Sequence, residues 1–159
     1  MVFDGTGSEY IGFIKELKSK SVTIEIVSTR TPPDRSLSAI TLIQAIPKKD
    51  KMDYIVEKST ELGVSSIVPM ITRRTIPDWS EPKKAASVQR WRKIALEASK
   101  QCGRSDVPAI DGIKDISEIT KKGADYDLAL IAALDDSAIK LKAAMAGLRG
   151  GRVAVAIGP

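Results

Sequence analysis

The pattern of apolar and polar positions is clearest between Ser38 and Ile71, where it predicts a strand, a helix and a second strand. The nearly continuous apolar, largely β-branched run from Ile40 to Ile46 is typical of a strand buried on both faces of a parallel sheet. Pro47 ends this strand because proline has no N–H to give the ladder. Such a crossover unit builds an open α/β layer and places functional loops at the carboxyl ends of its strands.

The helix of this unit has recognisable signals at both ends. Asp50 is placed to cap its N-terminus, and Asp53 favours the positive end of the helix dipole. Gly63 suits the left-handed residue that ends a helix. The positions expected to face the sheet are Met52, Ile55, Val56, Ser59 and Leu62. The next strand, Ser65–Ile71, contains Pro69, which predicts either an edge strand or an interrupted one.

Residues 1–30 have a different pattern, which predicts a short antiparallel meander. The dipeptide Asp4-Gly5 is a strong hairpin signal. The expected strands are Val2–Phe3, Glu9–Leu17 and Val22–Ile26. Three strands with one apolar face cannot close a barrel, so we expect that face to be covered elsewhere and the chain to begin inside a β domain. Residues 31–36 are predicted to form a proline-stiffened linker.

The remainder alternates helices with strands that are expected to be buried, which predicts a doubly wound α/β domain over residues 37–159. A long amphipathic helix from about Lys84 to Gln101 is expected to stop at Gly103. Its apolar stripe includes Trp91 and Cys102. The later elements are strand Val107–Ile110, helix Ser117–Lys122, strand Leu128–Ala133, helix Ser137–Ala146, turn Gly147–Gly151 and strand Arg152–Ile157.

Composition excludes several kinds of chemistry. A chain of 159 residues suggests about one domain, and the absence of histidine excludes His-based acid/base catalysis and the common zinc and triad sites. The single cysteine, Cys102, excludes an internal disulfide framework, and we expect no metal site. No apolar run is long enough to cross a membrane and the first residues lack a signal layout. We therefore expect a cytoplasmic protein without a membrane partner.

The charge balance favours a polyanionic partner, because the net charge is +5. Lys49 and Lys51 follow one predicted strand, Arg73 and Arg74 follow the next, and Arg104 follows a helix end. The first two groups are expected to lie at the same edge of a parallel sheet, where an arginine suits phosphate contacts. The alternative for all of these charges is an ordinary solvated surface.

The chain ends at Ile157-Gly158-Pro159, where a predicted strand enters a Gly-Pro turn. Loops of this kind bind small ligands in open α/β sheets, although from this feature alone an ordinary strand exit is the preferred interpretation. Because a domain is not expected to finish on an uncovered core strand, we expect the chain to be truncated. The glycines between Gly147 and Gly151 precede a strand and do not open a helix, so they predict a plain turn and not a phosphate loop.

Several segments resemble one family. KKDKMDYIVEKSTELGVSSIVPMITRRT, RWRKIALEASKQCGRSDVP, LALIAALDDS and the terminal AIGP closely resemble the RsmE-type methyltransferases of the SPOUT superfamily. The resemblance implies a trefoil-knot type parallel sheet domain, preceded by part of a PUA-like β-barrel, in a homodimer. It implies transfer of a methyl group from S-adenosylmethionine to N3 of a uridine in small-subunit (16S) ribosomal RNA, a step in ribosome biogenesis.

The resemblance also suggests site residues. Those similar to walls of the methyl-donor pocket are Ala133, Leu134, Ile157, Gly158 and Pro159. Arg74 and Arg104 match arginines expected near the RNA or the active-site cleft. With the lysines at the strand end, the predicted RNA contacts are Lys49, Lys51, Arg74 and Arg104. Arg73 departs from the family pattern, in which an acidic residue is usual.

Two questions stay open at this point. In the family the Gly-Pro pair continues into Glu-Gly-Gly and a closing segment that ties the knot and completes the cofactor pocket, so this chain resembles an incomplete copy. No general base can be assigned. A non-catalytic RNA-binding or assembly remnant is therefore an alternative to the enzyme. A third possibility, an unrelated nucleotide-binding α/β domain, is disfavoured because no phosphate-cradling glycine loop precedes a helix.

Overall fold

In the computed structural model the chain forms two β-sheets, and helices cover parts of both faces of the second one. The structure describes residues 1–31, 38–49, 51–75, 80–120 and 125–158. The predicted helix cap Asp50, most of the predicted linker and Pro159 lie outside the described residues.

The first sheet is antiparallel and the second is parallel. In chain order the elements are β1 (Val2–Phe3), β2 (Glu9–Leu17), β3 (Val22–Arg30), β4 (Ser38–Ala45), α1 (Lys51–Glu61), β5 (Ser66–Ile71), α2 (Glu81–Cys102), β6 (Ala109–Ile110), β7 (Lys114–Asp115), α3 (Ile116–Thr120), β8 (Leu128–Ala132), α4 (Leu141–Ala144) and β9 (Gly151–Ile157). Strands β1, β2 and β3 pair in that order. The parallel sheet has the order β6-β5-β4-β9-β8, and β7 also pairs with β5.

The predicted meander is confirmed, including the hairpin at Asp4. The Asp4 carboxylate accepts hydrogen bonds from the Thr6 backbone N–H (2.8 Å), the Thr6 hydroxyl (2.7 Å) and the Tyr10 hydroxyl (2.9 Å). These bonds, those from Thr6 foremost, lower the pKa of Asp4 to about 2. Many large apolar side chains of these strands are exposed: Ile11, Ile14, Leu17, Val22 and Ile26.

The first turn of the meander is hydrogen-bonded to the loop that follows α2. The Val107 N–H donates to the Gly5 carbonyl, and the Gly7 N–H donates to the Ser105 carbonyl, both at 3.1 Å. Gly5 has a φ of 84°, a left-handed conformation that favours glycine. These bonds hold the turn against the loop that follows α2.

The predicted β4–α1–β5 unit is confirmed, but one helix position is wrong. Met52, Val56 and Thr60 are the buried residues of α1, whereas Leu62 is 88% exposed. Leu62 lies beyond the end of α1, where Gly63 turns the chain with a φ of 95°, so its side chain leaves the buried stripe. In the last turn of α1 the buried residue is Thr60, and not Leu62 as the helical spacing predicted.

The structure decides between the two alternatives for the strand with Pro69. Strand β5 is interior, and Pro69 is fully buried opposite Gln44 of β4. On the other side the ladder is interrupted: β6 pairs with Ser66 and Ile67, and β7 pairs with Met70 and Ile71. The break falls at Val68 and Pro69, as expected where the chain lacks a donor.

Helix α2 confirms the long amphipathic segment and its stop. Gly103 has a φ of 73°, and its N–H donates to the Ser99 carbonyl. Trp91 is 4% exposed and belongs to the core, as predicted. Cys102, however, is exposed, because burial under α2 ends at Ala98 and Ser99.

Two expectations for the last third of the chain are wrong. Strand β8 lies at an edge of the sheet and is not buried: Ile131 is 80% exposed. The helix predicted from Ser137 shrinks to α4, because the Asp135 carboxylate accepts the Ser137 N–H at 2.7 Å and forms a turn. Lys140, with a ψ of 138°, is still extended.

The core has two parts, one on each face of the parallel sheet. Helices α1 and α2 cover the first cluster, which consists of Ile46, Met52, Val56, Val64, Ile67, Val88, Trp91, Ala95 and Ile110. The second cluster is smaller and consists of Ile43, Ala45, Val68, Met70 and Ala154, with Ile119 of α3 packed against it. Within the described ranges, no helix has the length and apolar character needed to cross a membrane.

Ser99 provides a stability test of this packing. Its hydroxyl is fully buried and has no hydrogen-bond partner in the part of the chain that the structure describes. Because an unsatisfied buried polar group is costly, we expect Ser99→Ala to raise the free energy of unfolding by about 1 kcal/mol in urea denaturation. Thr60→Ala is the control. It removes a buried hydroxyl that is bonded to the Val56 carbonyl at 2.7 Å, and it should lower stability. A less stable Ser99→Ala variant would contradict the prediction.

Candidate functional site

Parallel pairing brings the carboxyl ends of the strands to one edge of the sheet. Ala45 of β4 pairs with Met70 of β5, and Gln44 of β4 pairs with Ile157 of β9, which in turn pairs with Ala132 of β8. We call the segments that leave these ends the carboxyl rim: residues 46–49, 72–75, 133–136 and Gly158. Lys51 follows at the start of α1. This confirms the expectation that the cations after the first two strands of the parallel sheet lie at one edge, and Gly158 lies at the same edge.

The rim is basic along β4 and β5. Lys48, Lys49 and Lys51 lie where β4 passes into α1, and Arg73 and Arg74 lie in the turn after β5; all five are exposed. None of them has an ion-pair partner within the described residues. Because these cations have no ion-pair partner among the described residues, their charge remains available to an external anion.

Lys49 has an unusual backbone. Its φ is 61°, and among the described residues no other non-glycine residue has a positive φ. A left-handed conformation costs a β-carbon-bearing residue about 1–2 kcal/mol. Such strain is found most often at binding and catalytic sites, which supports Lys49 as a functional position.

The turn that holds the arginines is closed by two threonines. The Thr75 N–H donates to the Thr72 carbonyl, and the Thr72 N–H donates to the Thr75 hydroxyl, both at 2.9 Å. These two hydrogen bonds fix the backbone on both sides of Arg73 and Arg74. The two guanidinium groups are therefore presented from an ordered turn.

The rim is apolar along β9 and β8. Leu134 is fully exposed at the end of β8, and Ile157 is 37% exposed at the end of β9. Ala133 is also exposed. The neighbouring Asp135 accepts hydrogen bonds from the Ser137 hydroxyl and N–H, which lower the pKa of Asp135. An ionised carboxylate therefore lies beside an exposed apolar wall.

Arg104 is not brought together with the other predicted RNA contacts. Its guanidinium donates to the carbonyls of Thr60 (2.6 Å) and Val64 (3.1 Å), which precede β5 at the amino edge of the sheet. It also pairs with Asp106 at 2.5 Å, and the Arg104 side chain is only 15% exposed. This pairing is the main reason that the pKa of Asp106 is lowered. In the structure Arg104 joins α1 to the loop after α2.

Sequence reasoning missed a contact close to the rim. The Asp53 carboxylate accepts a hydrogen bond from the Trp91 indole N–H at 3.2 Å and pairs with the Arg90 guanidinium. Asp53 was recognisable as an acidic residue in the first turn of a helix. No spacing signal shows that it reaches α2, since that contact joins residues 38 positions apart.

A separate groove of about 720 Å³ runs between α1 and α2. It is lined by Glu57, Lys58, Glu61, Lys93 and Glu97, among others. Lys58 pairs with Glu57 at 2.8 Å and with Glu61 at 2.9 Å, as expected for surface ion pairs. Most charged side chains of this groove already form ion pairs, whereas the rim cations have no described ion-pair partner, so the rim is the better candidate site.

This architecture defines the class of the protein, an open parallel α/β domain whose strand-end loops meet at the carboxyl edge of the sheet, where such folds bind ligands. The chain belongs to the family of RNA methyltransferase domains, whose family model matches residues 34–159. This match confirms the family resemblance in the sequence.

Individual relatives agree with the family match. The Bacillus subtilis ribosomal RNA small subunit methyltransferase E is 28% identical over 131 residues, which are 79% of this chain and 51% of that protein. A solved structure of the same-named enzyme from Neisseria gonorrhoeae, bound to S-adenosylmethionine, is 32% identical with a TM-score of 0.84. It is matched by 99% of this chain, over 64% of its own length.

A second solved structure is as similar. The putative methyltransferase from Legionella pneumophila, in complex with the same cofactor, is 30% identical with a TM-score of 0.87. The match covers 99% of this chain and 63% of that one. The chain thus spans about half the length of the curated relatives it matches, and under two thirds of these solved structures.

Proposed function

We propose that the chain takes part in S-adenosylmethionine-dependent methylation of N3 of a uridine in small-subunit ribosomal RNA. The observation that supports this most strongly is the divided rim, where cations without an ion-pair partner in the described part of the chain lie after β4 and β5, beside an apolar wall after β9 and β8. An RNA backbone and an adenosyl cofactor need these two kinds of surface side by side. The two cofactor-bound structures, each at least 30% identical, support the same assignment.

The apolar half fits the methyl donor. Leu134 and Ile157 expose apolar side chains that an adenosyl group would cover, and Ala133 and Gly158 leave room beside them. The family resemblance adds Pro159, which lies outside the described residues. When bound, the cofactor supplies a sulfonium methyl group. The role of the chain is to hold that group against the RNA in a site from which water is excluded.

The basic half fits the RNA. Lys49, Lys51 and Arg74 would contact phosphates, and the planar guanidinium of Arg74 can make two parallel hydrogen bonds to one phosphate. Arg104 is not included among these contacts, because its donors are already used within the protein. We propose instead that Arg104 is structural.

The reaction requires little acid/base catalysis from side chains. Uridine N3 must lose its proton while the methyl group is held in line, so positioning and charge placement supply most of the rate. Cations at the rim would also stabilise the uridine anion as it forms. This is compatible with a chain that contains no histidine. No residue is assigned as general base.

Three further features of the proposal come from the family resemblance. We propose that the parallel sheet belongs to a SPOUT-type knotted domain and that the meander is part of a PUA-like barrel. We also propose that the active protein is a cytoplasmic homodimer. The meander's exposed apolar side chains are compatible with further strands packed on them.

The proposal is tested by incubating the protein with small-subunit RNA and isotopically labelled S-adenosylmethionine. A methyl group on uridine N3 blocks the base-pairing edge, so primer extension should stop at one uridine only when the cofactor is present. Arg74→Ala should lower kcat/KM by about ten- to a hundredfold, since a charge-assisted hydrogen bond contributes roughly 1.5–3 kcal/mol. Incorporation of label without a stop would contradict the N3 assignment. RNA binding without incorporation would favour the non-catalytic alternative.

A further inference from the structure

One acidic residue lies next to the basic half of the rim. Asp53 is two residues after Lys51, and its side chain is only 24% exposed. A negative charge at this position opposes the binding of a polyanion. The charge of Asp53 alone therefore does not explain why an acidic residue lies beside these cations.

The contacts of Asp53 give it a structural role. Its carboxylate accepts the Trp91 indole N–H at 3.2 Å and also pairs with Arg90, so the first turn of α1 is tied to the middle of α2. Trp91 is 4% exposed and packs in the main core cluster. The bond therefore anchors the start of α1 to a rigid part of the molecule.

The opposite end of α1 is held in a similar way. The Arg104 guanidinium donates to the Thr60 carbonyl in the last turn of α1 and to the Val64 carbonyl just beyond it. Helix α1 is thus tied to α2 or to the loop after α2 at both ends. Of these two ties, the one at Asp53 is close to Lys49 and Lys51.

We propose that Asp53 is a positioning residue that orders the turn with Lys49 and Lys51 for contact with RNA phosphates. The inference rests on the proposed function. Ordering a long side chain on binding costs about 0.5–1.5 kcal/mol, so a turn that is ordered in advance binds more tightly. The opposing effect of this carboxylate is reduced because its ion-pair partner Arg90 carries a compensating positive charge.

The two effects of Asp53 have opposite signs, and this makes the proposal testable. If Asp53 acted only through its charge, Asp53→Asn would tighten RNA binding. If Asp53 positions Lys49 and Lys51, both Asp53→Asn and Asp53→Ala should weaken RNA binding. Asp53→Ala should weaken it by about three- to tenfold. The salt dependence should stay unchanged, since no phosphate contact is removed.

The experiment measures binding of a fluorescent small-subunit RNA fragment by anisotropy at several salt concentrations. Glu57→Gln is the matched control, because it removes a carboxylate one turn along the same helix, where Glu57 pairs only with Lys58 among the described residues. It should leave the affinity unchanged or slightly higher. In a Trp79→Phe background, which leaves Trp91 as the only tryptophan, the Trp91 emission should shift in both Asp53 variants. This readout does not depend on RNA.

The outcomes separate the inference from the proposed function. Asp53 variants that bind RNA as tightly as Glu57→Gln, while the Trp91 emission shifts, would overturn the positioning role alone. If removing Lys49, Lys51 and Arg74 together does not change RNA affinity, the RNA site is elsewhere, and the role of Asp53 is overturned with it. Weaker binding in both Asp53 variants at an unchanged salt slope would support the proposal.

Discussion

Replacing Arg104 by methionine is expected to lower the free energy of unfolding by about 2–3 kcal/mol, because charge-assisted hydrogen bonds to buried carbonyls are lost. Methionine fills similar space, but it leaves the Val64 carbonyl without the guanidinium and Asp106 without its cation. Arg104→Lys should recover less than half of the loss, since one ammonium cannot reproduce a planar fork that reaches two carbonyls and a carboxylate. Urea denaturation measures both variants.

The pH dependence of stability gives a second check on Arg104. The pKa of Asp106 is lowered in the folded state, chiefly by Arg104. Its contribution to stability is therefore complete above the unfolded pKa, near 4, and is lost as the pH falls through the lower folded value. In Arg104→Met this acid-dependent loss should become smaller. A variant that keeps the stability of the native chain but has a weaker salt dependence of RNA binding would show that Arg104 contacts phosphate.

Arg104 also shows where sequence reasoning fails. A cation that follows a helix end can face solvent or turn back onto the last carbonyls of a neighbouring helix, and spacing does not distinguish these states. Its partners Thr60 and Val64 are 44 and 40 positions away in the chain. Only the packing of α1 beside α2 brings them within reach.

The central βαβ unit could be predicted from the sequence, because several signals there agree. A continuous apolar run, helical spacing and Gly63 all indicated the same elements, which the structure has as β4, α1 and β5. The shared edge of Lys51, Arg74 and Gly158 followed from parallel pairing alone. Local signals and topology coincide in this part of the chain.

The last third of the chain was harder to predict, because apolar residues there are not reliably buried. The strand around Ile131 was expected in the interior, yet it has a neighbour on one side only. Four residues of α4 replace the longer helix expected from Ser137, since the Asp135 side chain competes for the backbone there. The deciding factors were the place of β8 in the strand order and one side-chain contact at Asp135, and neither has a signal in the hydrophobic pattern.

The largest expected effect on RNA binding comes from removing three rim cations together, in Lys49→Ala, Lys51→Ala and Arg74→Ala. With a slope of about −0.7 per phosphate contact, each contact contributes about fourfold at 0.15 M salt, so the triple variant should bind about fifty-fold more weakly. The fold should not suffer, because these side chains are exposed and have no described ion-pair partner. Removing Lys51 from the first turn of α1 should even raise stability slightly, since a cation opposes the helix dipole there.

The matched control removes three cations that lie away from the rim. Lys18 and Lys20 lie in the turn between β2 and β3, and Lys100 lies in the last turn of α2; all three are exposed. The control variant loses the same net charge, so any difference between the variants reflects position and not total charge. We expect its RNA affinity to fall less than threefold.

The slope of log Kobs against log salt, measured for both triple variants and the unmodified chain, tests the central claim most directly. That claim is that the carboxyl ends of the parallel strands bind the RNA. The rim variant should lose about two units of slope, and the control variant should keep the slope of the unmodified chain. Equal slopes for the rim variant and the unmodified chain would contradict a phosphate-binding rim.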